Sequence, residues 1–210
     1  MKPLLTHRLG LLALTATLLT GTLSACVPLV MGGAVVTGMA MVDRRSSGAQ
    51  LDDEAIELRT SNRMLQAFGE RVHINATSYN RQLLLTGEVP TEQDKQLAEK
   101  VVSGVENVRN VVNELAVLGN STLSQRSSDA LVTSRVKANL IDAKDLFANA
   151  FKVTTERGTV YLMGRVTQRE ANRATEVVSE TSGVLRVVRI LEIISEDELT
   201  HMLPAPEAKK

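Results

Sequence analysis

The one candidate nucleophile of this chain is Cys26, the only cysteine in 210 residues. It closes the tetrad Leu23-Ser24-Ala25-Cys26, at the end of a leader that carries Lys2, His7 and Arg8 and then an apolar run over 9–19. A basic start, a short apolar stretch and small residues before a cut site are the layout of a secretory signal. The run is shorter than the about 20 residues that span a bilayer. Other reactive residue types are scattered. His73 and His201 stand apart in the sequence and read as surface histidines, because metal sites need clustered His, Cys or carboxylates. No Ser-His-Asp spacing, nucleophile elbow or phosphate-binding loop is present. Basic residues are not interleaved with aromatics, so nucleic acid is not an expected partner. With no second cysteine, no internal disulfide can form, and the fold must rest on its cores.

Those cores are aliphatic, since the chain holds no Trp, two Tyr and three Phe. Once the leader is removed, about 185 residues remain, enough for one medium or two small domains. Formal net charge is zero but uneven. Residues 52–118 hold 11 acidic and 7 basic side chains, a net of −4, and residues 126–194 hold 8 acidic and 11 basic, a net of +3. Such asymmetry speaks to partners rather than to fold. A second apolar stretch, residues 27–42, is short for a membrane span. It suits a segment lying on a bilayer, an apolar linker, or a strand on the first domain. The polar run Asp43-Arg44-Arg45-Ser46-Ser47-Gly48 after it reads as a hinge.

Self-comparison reveals a duplication. Leu83-Leu84-Leu85-Thr86-Gly87-Glu88-Val89 matches Val160-Tyr161-Leu162-Met163-Gly164-Arg165-Val166, and Ser103-Gly104-Val105 matches Ser182-Gly183-Val184. Between them, Thr91-Glu92-Gln93-Asp94 parallels Thr167-Gln168-Arg169-Glu170, both read as capping boxes. Upstream, Asp53, Ile56 and Arg59 parallel Asp129, Val132 and Arg135, and all offsets fall between 76 and 79. Each copy reads as helix (52–67, 129–143), two strands (72–78 and 82–89, 151–155 and 160–166), helix (92–103, 168–181) and a Val-rich strand (108–118, 185–194). The α+β order αββαβ predicts two tandem two-layer sandwiches, each with a mixed three-stranded sheet. Expected boundaries are 1–25 for the leader, 26–50 for the N-terminus and linker, 51–118 for the first unit, 119–127 for a linker, 128–195 for the second unit, and 196–210 for a short C-terminal helix and tail. Gly87 and Gly164, where a strand gives way to a helix, and Gly104 and Gly183 are expected to be structural. Replacing Gly87 or Gly164 should disturb packing of the second helix. Glu88 and Glu92 could form a carboxylate pair, but the second copy has Arg165 and Gln168 there, so solvated charge is expected.

Two resemblances add to this reading. Leu-Ser-Ala-Cys resembles the lipobox of bacterial lipoproteins, which implies cleavage before Cys26, a diacylglyceryl group on its thiol and an N-acyl group, with no other cofactor. Asp after the cysteine retains many such proteins on the inner membrane. Val27 here implies the outer membrane, with the chain facing the periplasm. The duplicated unit, with its strand-end glycines and Gly-Val steps, resembles the BON domain, and the whole resembles dual-BON outer-membrane lipoproteins of Gram-negative bacteria. That resemblance implies phospholipid or envelope-surface binding, a role in outer-membrane integrity, and no catalysis; the charge pattern on the first helix of the second unit narrows the expected partner to anionic phospholipid. The alternative is a scaffold that grips an outer-membrane assembly or cell-envelope protein.

The first helix of the second unit should bury Val132, Val136, Leu140 and Ala143. Leu131, Ala138 and Ile141 then lie on another side, bordered by Ser134, Arg135 and Lys137. Apolar residues flanked by cations suit an anionic bilayer. The first unit has Leu58 and Leu65 in the equivalent place, but with Glu54, Glu57 and Asn62 beside them. Lipid contact is therefore expected from the second unit.

Overall fold

The computed structural model describes residues 43–202. The leader, Cys26, the apolar stretch over 27–42 and the tail over 203–210 lie outside the described residues.

Helix α1 spans Ser47–Phe68 and starts earlier than its apolar stripe, because the Ser46 hydroxyl accepts the Ala49 N–H at 3.1 Å and caps it. Strands β1 (His73–Tyr79) and β2 (Gln82–Val89) follow as an antiparallel hairpin. Its turn residues Asn80 and Arg81 have φ of 50° and 67°, the type I′ geometry whose twist matches paired strands. Both turn N–H groups donate to the Asp53 carboxylate on α1, at 2.7 Å each. The second copy repeats this brace. Helix α3 (Leu123–Asp142) supplies Asp129, which accepts the N–H groups of Arg157 and Gly158 at 2.9 Å each. Those residues turn β5 (Phe151–Glu156) into β6 (Thr159–Thr167). The matched aspartates in the two sequences are thus the same helix-to-turn brace. Like α1, α3 starts earlier than expected, at a capping box formed by Thr122 and Gln125.

Helices α2 (Glu92–Ser103) and α4 (Gln168–Ser179) carry each chain across to its last strand. Thr167 and Glu170 form a reciprocal capping box. In the first copy the box is one-sided: Thr91 accepts the Asp94 N–H, while the shorter Asp94 side chain takes the Thr91 hydroxyl and Arg71. The last strand of copy one is split into β3 (Asn110–Asn113) and β4 (Ala116–Val117), both parallel to β2. The split lets Leu115 drop into the core. In copy two the strand is continuous, β7 (Arg186–Ile194), and parallel to β6. Both sheets are therefore mixed, with the second strand of the hairpin in the centre. Central position explains why Leu83-Leu84-Leu85 and Val160-Tyr161-Leu162-Met163 are apolar without alternation. Helix α5 (Glu196–Met202), capped by Ser195, docks on the second copy with Leu199 buried and Arg165 paired to Glu198 at 2.6 Å.

Each copy has its own core, one around Ile56, Leu85 and Val102, the other around Val136, Leu162 and Val178. A third core joins them. Tyr79 and Leu84 of the first copy are buried together with Tyr161, Met163 and Ile190 of the second. Polar contacts frame this junction, including Lys152 to Glu57 at 2.6 Å and Asn80 to Glu192 at 2.6 Å. Gly87 and Gly164 sit within the central strands rather than at a junction with the helix. A Cβ at Gly87 would collide with the His73 carbonyl, and one at Gly164 with that of Ala150. The neighbour that requires glycine is the first strand at Gly87 and the turn leading into it at Gly164, not the second helix.

Candidate functional site

Two places on this frame could meet a partner. The first is the outer side of α3. Val132, Val136 and Leu140 are buried against the sheet, while Leu131 and Ile141 are 59% and 69% exposed. Ser134, Arg135, Lys137 and Ala138 are exposed beside them. Ser134 returns its hydroxyl to the Ala130 carbonyl at 2.9 Å, so it acts within the helix. Arg135 reaches the Ser182 carbonyl at 3.4 Å. Lys137 and Ile141 border a groove of about 250 Å³ whose floor is Leu140, Ala148, Phe151 and Val153. No helix among the described residues is long and apolar enough to cross a membrane. Of the four glycines singled out in the sequence, Gly104 lies beneath the Arg63 guanidinium and Gly183 against Val132.

Exposed apolar residues are not confined to that face. Helix α1 shows Leu51, Leu58 and Leu65 to solvent, at intervals of seven. What separates the two helices is charge. Here one expectation changes: Glu57 is no free surface acid, since it accepts the Ser78 N–H and pairs with Lys152 of the second copy. Glu54 remains exposed on the leucine side.

The second place was invisible to motif reasoning. His73 opens β1 and lies directly across the ladder from Glu88 at the end of β2. Glu156, at the end of β5, enters from the other copy. His73 Nδ1 is 3.0 Å from Glu88 Oε2 and 3.7 Å from Glu156 Oε1. Glu88, expected to be solvated, is fully buried, and Glu156 is 7% exposed. The Glu88 carboxylate accepts Arg157 Nε at 2.6 Å and the Ser121 N–H at 3.0 Å. Burial pushes the Glu88 pKa up, but the Ser121 N–H and the Arg157 guanidinium pull it below its ordinary value. Glu156 goes the other way. Burial raises it, the Asn75 amide and His73 oppose that, and the charges of Glu88 and Asp129 add to the rise. A cavity of about 360 Å³ opens onto His73, Asn75, Asp129 and Glu156. Among the described residues, His73, Glu88 and Glu156 form a group that could hold a metal ion. The sequence signal was present but indirect: His73 and Glu88 are fifteen apart around a two-residue turn, which in a hairpin makes them cross-strand partners.

Comparison with known proteins places this geometry in context. The BON domain family matches residues 52–119 and again residues 128–194. The chain is 36% identical over 177 residues to the outer membrane lipoprotein DolP of Haemophilus influenzae, covering 82% of this chain and 90% of that one. It is 32% identical over 155 residues to a 21 kDa hemolysin of Actinobacillus pleuropneumoniae, covering 73% and 80%. With the osmotically-inducible protein Y of Escherichia coli it shares 26% over 191 residues, covering 84% and 94%.

Proposed function

The chain belongs to the BON-domain family and carries the domain twice, and from that premise we propose that it is a non-enzymatic lipoprotein of the outer membrane, anchored through Cys26 and facing the periplasm, whose second BON domain docks on anionic phospholipid. The observation that carries this reading is the outer side of α3, where Leu131 and Ile141 stand exposed beside Arg135 and Lys137. Near an anionic surface each cation contributes about 1 kcal/mol, and the two leucine-sized side chains add apolar burial. Taken alone that is weak. Acylation at Cys26 would hold the domain at the bilayer, where a weak surface contact becomes intramolecular and suffices. The lipoprotein named among the relatives supports the location. Envelope integrity is the role that fits a tethered module of this kind.

The test is charge reversal. The Arg135→Glu, Lys137→Glu double variant is expected to lose at least about 30-fold in co-sedimentation with phosphatidylglycerol vesicles, with an unchanged circular dichroism spectrum. Wild-type binding should also fall as salt rises. Retained binding by the double variant would place the lipid surface elsewhere.

A second reading draws on α1. Its exposed Leu51, Leu58 and Leu65 lie with Glu54 on one side, which suits an envelope protein as partner better than an anionic bilayer. Replacing Leu58 and Leu65 by Ser should leave vesicle binding intact and remove crosslinks to protein partners.

A further inference from the structure

We infer that His73, Glu88 and Glu156 form a binding site for a divalent transition-metal cation, of which Zn²⁺ is the natural representative, and that this ion staples the two BON domains together. The inference stands whether or not α3 meets lipid.

The geometry comes first. One donor atom from each of the three side chains lies within 4.8 Å of the other two. A tetrahedral zinc ion with bonds of about 2.0–2.2 Å keeps its ligands about 3.3 Å apart. The separations from His73 Nδ1, 3.0 Å to Glu88 and 3.7 Å to Glu156, bracket that value. A mixed set of imidazole and carboxylates suits zinc rather than calcium or magnesium, which prefer oxygen alone. The 360 Å³ cavity touching His73 and Glu156 gives an entry path and room for a water as fourth ligand.

Charge points the same way. Glu88 has Arg157 as its cation. Glu156 is nearly as buried, yet among the described residues no Lys or Arg pairs with it. Its contacts are the Asn75 amide at 3.1 Å and His73. The carboxylates of Glu88 and Asp129 face it. Two buried carboxylates side by side, one of them with only the shared His73 imidazole as a basic neighbour, are costly unless a further cation joins them. A divalent ion supplies that charge.

Surrounding contacts fit an outer shell. Arg157 holds the Glu88 oxygen that points away from His73, and the Ser121 N–H fixes the other. The Ser121 hydroxyl is 3.2 Å from His73 Nδ1 and accepts Arg126 Nε. Such contacts orient ligands in metal sites. To bind, the imidazole presents an unprotonated Nδ1 and carries its proton on the exposed Nε2, which gives up its 3.4 Å contact with Asn75 Nδ2 while that amide keeps its bond to Glu156. Because His73 and Glu88 belong to one domain, Glu156 to the other and Ser121 to the linker, the ion would tie all three.

Stripping the full chain with a chelator and titrating it with zinc sulfate or cobalt chloride decides the matter. Expected results are one ion bound per chain by calorimetry, visible Co²⁺ absorption of a four-coordinate site, and a melting temperature higher by about 5–10 °C at a hundredfold excess over Kd. His73→Gln and Glu156→Gln should each weaken binding by at least about 100-fold while the apo proteins still melt cooperatively. His201→Gln should bind as wild type. Absence of binding at micromolar zinc, or equal affinity in Glu156→Gln, would reduce the cluster to an ion-pair network. Loss of binding in His201→Gln would move the metal to the C-terminal helix and likewise overturn the proposal.

Discussion

Replacing Arg44 by Ala is expected to cost the folded protein about 3–5 kcal/mol, a large effect for a residue from what reads in the sequence as a polar hinge. The Arg44 side chain is 1% exposed and that of Glu170 is fully buried. Two guanidinium nitrogens meet the two carboxylate oxygens at 2.7 and 2.8 Å, and Nη1 also donates to the Arg165 carbonyl at 2.9 Å. Phe147 covers the guanidinium at 5.5 Å. Truncation at Arg44 leaves a buried carboxylate whose remaining partner is the Thr167 N–H, and breaking one side of a buried pair is far more damaging than removing both. A paired Arg44→Met, Glu170→Leu variant should therefore recover most of the loss. Urea unfolding measures both. A loss below 1 kcal/mol in Arg44→Ala would mean that the segment over 43–46 does not seat on the second domain.

The same pair sets an acid limb. Burial pushes the Glu170 pKa up, but the Arg44 bonds and the Thr167 N–H outweigh it and hold the pKa below its ordinary value. A carboxyl depressed in the folded state adds stability that is complete above its unfolded pKa, about 4.3, and is lost as pH falls through the lower folded value. Stability of the wild type should thus drop below about pH 4. In Arg44→Ala that part of the drop should be missing, which pH-dependent melting will show.

Arg44 also shows where sequence reading stopped. Composition marks Asp43-Arg44-Arg45 as solvated, yet Arg44 is buried in the second domain while Arg45 pairs with Asp53 and stacks on Tyr79 of the first. A guanidinium reads as surface until its acceptor is known, and here the acceptor is 126 residues away. The duplication, by contrast, was legible because it rests on local chemistry: a helix aspartate, a two-residue turn, a glycine, a threonine cap. Each is fixed within one copy. What differs between copies belongs to the junction. Glu88 and Arg165 occupy equivalent positions, and the mismatch suggested idle charge. Instead, Glu88 is met by Arg157 of the other copy and by the linker, whereas Arg165 is met by Glu192, Glu198 and the backbone of Arg44. Two homologous sheets packed against each other need different residues where linker, strap and C-terminal helix arrive. The outer side of α3 was legible for the opposite reason, since exposure follows from helical spacing once the buried stripe is known.

Gly87→Ala is expected to destabilise the first domain by more than about 3 kcal/mol, and more than Gly164→Ala does the second. Gly87 has φ of 111°, a region that an L side chain enters only with strain of about 1–3 kcal/mol. The added methyl would also land on the His73 carbonyl, with Ile74 Cα behind it at 3.3 Å. Both neighbours are backbone of β1, held in register with β2 from His73 to Tyr79, so relief means parting the strands. At Gly164 the Ala150 carbonyl blocks a methyl in the same way, but φ there is ordinary. Only the steric cost applies, and Ala150 ends a short 3₁₀ turn outside the paired strand. Hydrogen exchange separates the two outcomes: Gly87→Ala should lose protection across β1 and β2, with the amides of β6 and β7 less affected. Because His73 and Glu88 flank the altered contact, the variant should also weaken zinc uptake, while Gly164→Ala, remote from those ligands, should leave it unchanged. Wild-type stability and protection in Gly87→Ala would mean that β1 does not approach β2 as closely as the geometry requires.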